Sequence, residues 1–313
     1  AHSELQRICT ANIKNEIGKS TYTQMLNEAG GIETDLTVIC IEENYFRIIS
    51  SAATRTHDKA HILKHLSPKL KLRDITDELV CLGVFGPKSR DLISRMSKDN
   101  ISNETLKFGS GKYIQIGSKK VWVQRLSYVG ELGFEIYINN IDAKEVYQSI
   151  IKEGKNHKLS HCGAHAMDTM RMESGFLHWG HDISPEENQY EAGLNFAISY
   201  KKEIDFIGKE SLLKIKSKKQ HKKFVMLSLK NSSPGHPLLL HEEPIYLDDE
   251  IIGKTTSGNY SFNYNKNLSF GYVETKRSNA ELTKMNLYIE VAKKKHLAIV
   301  EIDPLKGKQA KFL

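Results

Sequence analysis

Tyr22-Thr23-Gln24-Met25-Leu26-Asn27-Glu28-Ala29-Gly30-Gly31-Ile32-Glu33-Thr34-Asp35 is the strongest local signal in the chain. Gly30-Gly31 supplies a tight turn, and backbone without Cβ atoms can approach a ligand closely there. The turn delivers Asp35 to the start of a strand predicted over residues 36–41, a place for a single working carboxylate. A plain hairpin turn with a solvated Asp fits the same residues. A second strand is predicted over 45–50 after Glu42-Glu43-Asn44, so this region is a hairpin.

Outward from this stretch, helices and hairpins come in blocks. Upstream, residues 3–9 form a helix with Leu5, Ile8 and Cys9 on one face. The domain's start is expected to be truncated there, with apolar surface left open at that helix. Downstream, a helix is predicted over 58–66. Pro87 opens another, since proline suits a first helical turn. Residues 112–116 and 120–126 form a second hairpin around Gly117-Ser118. Asp142 and Glu145 suggest a capping box for a helix closed by Gly154. A further helix spans 163–174 and stops at Gly175. Such blocks, without strict βαβ alternation, define an α+β class.

Residues 214–223 hold six lysines in ten positions, without interleaved aromatics. They fit a solvated interdomain linker better than a nucleic-acid groove, which needs stacking platforms. After it come short strands at 224–229, 244–247, 251–256, 268–273, 287–291 and 297–302, the pattern of a small antiparallel barrel or sandwich. The expected division is residues 1–220 and 221–313.

Composition narrows the class. The chain has 313 residues, 39% hydrophobic and 27% charged, an ordinary globular balance that excludes collagen-like, disordered and coiled-coil proteins. No apolar run approaches the ~18 residues of a membrane span. Cys9, Cys40, Cys81 and Cys162 lie far apart, which suits a reducing compartment, the cytoplasm or a mitochondrial matrix. The net charge of +7 favours anionic partners.

Three further groups carry chemistry. In Tyr128-Val129-Gly130-Glu131-Leu132-Gly133-Phe134-Glu135, glycines bracket Glu131, and Glu135 alternates with apolar residues along a strand. A buried carboxylate there can accept two N–H donors from a planar heterocycle; an exposed edge-strand Glu has the same pattern. His161 and His165 have a metal-ligand spacing but lack the Glu of a zincin, so no metal is expected. Residues 108–112, Phe-Gly-Ser-Gly-Lys, precede a strand and lack a full phosphate-loop pattern.

Together and in order, these pieces resemble the folate-binding aminomethyltransferase family. Its members include the glycine cleavage T-protein and the C-terminal halves of dimethylglycine and sarcosine dehydrogenases. The resemblance runs almost end to end, through residues 22–38, 51–55, 83–87, 127–136, 162–175, 191–194, 205–210 and 255–258. It implies a three-lobed fold around a central folate site with a C-terminal β-barrel. It also implies roles: Asp35 beside the reacting pterin nitrogens, Glu135 on the pterin's amino and ring N–H edge, and Tyr22 and Tyr128 lining the pocket. The family's Ala-Arg-Asp is Ala166-Met167-Asp168 here, so the folate tail falls to other basic residues, Arg55 among them.

The implied function is tetrahydrofolate-dependent one-carbon transfer that forms 5,10-methylenetetrahydrofolate. The carbon would come from a small methylated amine or an aminomethyl donor. The stretch from Arg171 through Trp179-Gly180-His181-Asp182 is closest to the dehydrogenase-fused members. Without a G-x-G-x-x-G fingerprint, FAD is expected only on a separate or upstream domain. A flavin dehydrogenase domain or a lipoyl carrier protein is the implied partner, with neither nucleic acid nor membrane expected. The alternatives are a T-protein acting on an aminomethyl-lipoyl carrier, a methyl-sulfonium demethylase relative, and a non-catalytic folate-binding module. The family's iron–sulfur-assembly branch carries a cysteine element that residues 205–210 lack.

Overall fold

Several apolar cores organise the chain in the computed structural model, which describes residues 1–218 and 221–306. The first lies beneath a three-stranded antiparallel sheet, β1 (Ser20–Leu26), β2 (Ile32–Glu42) and β3 (Tyr45–Ile49), with α1 (His2–Ile8) and α2 (Arg55–His65) packed against it. Leu5, Ile8 and Cys9 meet Met25, Leu36, Val38 and Ile62. The apolar face of the first helix is thus covered by this chain's own residues, contrary to the expectation of open surface. Strand β2 starts at Ile32, ahead of the predicted 36, so Asp35 lies within the strand and not at its start.

The second core belongs to β4 (Leu79–Phe85), α3 (Ser89–Met96), β5 (Gly111–Ile116), β6 (Lys119–Gln124), β7 (Gly133–Asn139) and α4 (Asn140–Gly154), with sheet order β4-β7-β6-β5. Leu92, Ile93, Val146 and Ile150 of the two helices bury one sheet face through Phe134, Ile136 and Ile138. Strand side chains alternate between faces, which puts Glu135 and Tyr137 on the other side. The capping box expected at Asp142 is absent. Helix α4 begins earlier, at Asn140, and Asn139 makes no side-chain cap. Asp142 and Glu145 instead both reach Lys119, at 2.7 and 3.3 Å.

After α5 (Ala164–Glu173) and α6 (Lys209–Ser217), a closed barrel forms from β8 (Lys222–Leu229), β9 (Pro244–Leu247), β10 (Glu250–Ser261), β11 (Lys266–Glu274), β12 (Leu287–Val291) and β13 (Lys294–Glu301), with α7 (Asn279–Leu282) between β11 and β12. Each of the six predicted runs is one of its strands. Closure leaves no sheet edge unpaired. The lysine run is not a linker throughout: Lys214 and Lys216 are in α6, and Lys222 and Lys223 open β8. Leu212 anchors α6 in the core while its lysines face outward. The expected boundary at residue 220 falls outside the described residues.

The barrel is tied to the rest by a buried cation. Arg171 of α5 is 1% exposed. Its guanidinium donates to Asp168 at 2.7 Å, Asp182 at 2.6 Å and Ser257 of β10 at 2.8 Å. Among the described residues, no helix is long and apolar enough to cross a membrane.

Candidate functional site

The first two sheets face each other, and strand register decides what each presents. Across β1, β2 and β3, Gln24 pairs with Asp35, Tyr22 and Ile49 both pair with Thr37, and Arg47 pairs with Ile39. All therefore share one face. On the second sheet, Gln124, Glu135 and Gly83 form one row, and Trp122, Tyr137 and Cys81 the next. Ile39 and Ile41 pack on Trp122 and Tyr137, with Ile49 alongside, closing the gap with an apolar seam. The polar groups flank that seam.

The turn before β2 is built by Asn27, whose Oδ1 accepts from the N–H groups of Ala29 and Gly31. Gly30 has φ +94°, and a Cβ on Gly31 would stand 2.1 Å from the Pro185 carbonyl oxygen. Both positions therefore require glycine, the first for conformation and the second for space.

Asp35 is half-buried, and Gln24 Nε2 donates to its Oδ1 at 2.6 Å. Gln24 is held in turn, because Gln189 Nε2 donates to its Oε1 at 2.6 Å and to Thr10 Oγ1 at 3.1 Å. Gln24, Gln189 and Thr10 are fully buried. Burial pushes the Asp35 carboxyl up to about 6, against the opposing pull of Gln24 and Tyr22, and nearby Asp58 adds to the rise. Enclosure and the Asp35 carboxyl raise the Tyr22 hydroxyl well above its usual range. The Tyr22 ring stacks on exposed Phe196, with centroids 6.2 Å apart.

Tyr128 donates to the Leu177 carbonyl at 3.0 Å and stacks on Phe176. Burial pushes its hydroxyl up to about 12, and Asp35 also weighs on it. Glu135 is half-buried, and Tyr137 donates to its Oε2 at 2.5 Å. Desolvation raises the Glu135 carboxyl while the Tyr137 hydroxyl opposes the rise. Gly83 stands opposite Glu135 and places no side chain beside it. The carboxylate thus keeps lone pairs for a ligand's N–H groups.

The structure brings Tyr22, Asp35 and Tyr128 together and sets Glu135 on the facing sheet. Arg55 is elsewhere, at the start of α2 on the outer surface. It donates to Asp74 at 2.8 Å and Asp77 at 2.7 Å, and these two carboxylates raise its pKa. His161 lies on the surface, bonded to the Tyr147 hydroxyl. Among the described residues, no group of three His, Cys, Asp or Glu side chains is arranged to hold a metal ion.

Sequence reasoning missed Gln24, Gln189, Asp58 and Arg47. Gln24 had a signal, because it lies two residues after Tyr22 and so shares its strand face. Gln189 comes from a distant loop and had none. His57 was missed too; it lies between Glu33 and Asp58, at 3.1 and 3.2 Å, with Trp179 against its ring.

A family model described as the GCVT N-terminal domain matches residues 1–202, and one described as the glycine cleavage T-protein C-terminal barrel domain matches 222–305. Among similar proteins, the Listeria monocytogenes aminomethyltransferase is 33% identical over 274 residues, covering 87% of this chain and 73% of that protein. Human mitochondrial dimethylglycine dehydrogenase is 30% identical over 298 residues, covering 94% of this chain. A 4-methylaminobutanoate oxidase (formaldehyde-forming) from Paenarthrobacter nicotinovorans is 33% identical over 270 residues, covering 86%. The chain spans about a third of these last two proteins, 34% and 32%. The solved glycine cleavage aminomethyltransferase T of Bartonella henselae superposes over 98% of this chain with a TM-score of 0.82, at 22% sequence identity. That likeness is one of fold.

Proposed function

The chain belongs to the glycine cleavage T-protein family, and from that premise we propose that it transfers a one-carbon unit to tetrahydrofolate, forming 5,10-methylenetetrahydrofolate. The observation that carries this reading is Asp35, held by Gln24 on one sheet while Glu135 faces the same gap from the other. Tetrahydrofolate, when bound, supplies the nitrogens that take up the carbon. The residues present suit its pterin: a carboxylate with free lone pairs for N–H donors on one sheet, and two tyrosines beside Asp35 on the other side.

In this reading Asp35 is the catalytic residue. Burial pushes its carboxyl up to about 6, so at neutral pH the ionised form stabilises cationic charge on the transferred carbon and can take up a proton from a reacting nitrogen. Gln24 and Tyr22 both hydrogen-bond this carboxyl and fix its position. Glu135 accepts from the pterin's N–H edge, and Tyr22 and Tyr128 wall the pocket. Fixing the ring against Asp35 supplies proximity. The folate tail falls to basic residues other than Arg55, which is engaged with Asp74 and Asp77 away from this cluster.

The carbon donor is a small methylated amine oxidised by a flavin dehydrogenase domain, and FAD belongs to that domain. The extent of the match to dimethylglycine dehydrogenase supports this choice. A lipoyl-borne aminomethyl donor is the second reading, supported by the larger share of the Listeria aminomethyltransferase that the chain covers. Residues 1–220 would form the folate domain and 221–313 the barrel domain, in a cytoplasmic or mitochondrial-matrix protein.

The test supplies tetrahydrofolate with formaldehyde, or with an aminomethyl-lipoyl carrier, and follows methylenetetrahydrofolate against a protein-free blank. Turnover above the blank with wild type, lost in Asp35→Asn, is expected. Folate binding without turnover from either donor would favour the non-catalytic folate module.

A further inference from the structure

Arg47 is 8% exposed on β3, and its Nε and Nη1 are buried without a hydrogen-bond partner. Among the described residues, its side chain makes no ion pair. Its guanidinium lies over the Tyr137 ring, 5.3 Å from the centroid. A buried guanidinium without a counterion is strongly destabilising, and a native unsatisfied donor calls for a cause. Pairing with Ile39 places Arg47 on the sheet face that bears Asp35. The ring beneath it belongs to Tyr137, whose hydroxyl donates to Glu135. An acceptor, Glu135, and a buried donor without a partner, Arg47, therefore flank one tyrosine.

We infer that Arg47 and Glu135 together recognise an edge in which an N–H adjoins a carbonyl, and that Arg47 donates to the carbonyl. Resting on the folate reading above, this assigns Arg47 to the pterin's 4-oxo oxygen, the neighbour of the ring N–H that Glu135 accepts. Arg47 is then a specificity residue: it favours 4-oxo pteridines over 4-amino ones, which turn an N–H toward the guanidinium. A donor facing a donor leaves both unsatisfied, and built polar sites discriminate strongly on that basis.

The experiment is calorimetric titration of the full chain with folic acid and with its 4-amino analogue aminopterin, in wild type, Arg47→Met and Arg47→Lys. Both ligands carry the same glutamate tail. Wild type is expected to prefer folic acid. Arg47→Met should bind folic acid at least ~10-fold more weakly, the scale of one charged hydrogen bond, while aminopterin binding stays unchanged or tightens. Arg47→Lys keeps the charge and should retain part of the preference. Equal weakening of both ligands would overturn the assignment in favour of a tail or packing role, and no weakening of either would also overturn it. If wild type binds neither ligand, the folate reading falls and this inference with it. If wild type binds both equally, only this inference falls. Should Arg47→Met not fold, Arg47→Lys decides through its partial loss of the preference, because a 4-amino pteridine also lacks the ring N–H that Glu135 accepts and the wild-type comparison alone does not isolate Arg47.

Discussion

Gln24 donates its side-chain amide to Asp35 at 2.6 Å, and the amide's orientation is not free. A carboxylate only accepts, so the NH2 group must face Asp35, and Gln24 Oε1 must then accept from Gln189. Protonation of Asp35 is thus coupled to a buried amide chain that ends at Thr10.

The chain predicts a pH shift. Activity should rise as Asp35 ionises, around pH 6. Gln24→Met removes a donor that favours the ionised form, so the acid limb of kcat should move to higher pH. A pH–rate profile, or a carboxyl NMR titration of Asp35, measures it. An unmoved midpoint would show that Gln24 has no hold on the carboxyl.

Asp35→Asn should keep folate binding and lower methylenetetrahydrofolate formation by ~10²-fold or more, the scale of a positioned acid–base group. Single-turnover rates with binding isotherms separate the two effects. Wild-type turnover in this variant would remove Asp35 from the mechanism.

The same substitution has a stability signature. A carboxyl whose pKa is raised on folding contributes stability fully below its unfolded value, ~3.9, and loses it as pH rises through the folded value, about 6. Wild type should lose that contribution across this window, whereas Asp35→Asn has nothing to ionise. Denaturant melts should show the variant gaining on wild type from pH 4 to 6 and levelling above. A constant difference would mean that Asp35 is not buried as described.

Glu135→Gln should weaken tetrahydrofolate binding by ~10–100-fold, because a charge-assisted hydrogen bond contributes ~1.5–3 kcal/mol. Unchanged affinity by calorimetry would exclude Glu135 from the site.

Arg171→Met should destabilise the fold by ~3–5 kcal/mol, since it leaves buried Asp182 without its cation. Urea melts measure this, and Asp182→Asn in the same background should recover part of the loss. A small effect from Arg171→Met would mean that Asp182 is neutral or solvated in the fold.

Much of this molecule was legible in its sequence because the signals were local. Six short alternating runs after residue 220 specified the barrel strands, since period-2 burial is set within each strand. The glycine pair before Asp35 announced its turn through conformation and close approach, which only glycine tolerates. The family resemblance gave Tyr22, Asp35, Tyr128 and Glu135 as candidate site residues at fixed spacings, and the proposed function rests on them. Local patterns misled where a partner came from elsewhere. Asp142 and Glu145 had the spacing of a cap, but a lysine from a neighbouring strand took both. The lysine run at 214–223 has the composition of a linker, but Leu212 and Ile215 draw part of that segment into a helix against the core. What only the tertiary structure decided was which polar groups meet. Gln189 reaches Gln24 across 165 residues, and Arg171 reaches Ser257 across 86. Such pairings leave no periodicity in the chain, because a buried donor is matched by whatever acceptor packing brings to it. Arg47 is the complementary case: an ordinary strand residue by sequence, it became a candidate ligand contact only when packing buried it without a partner.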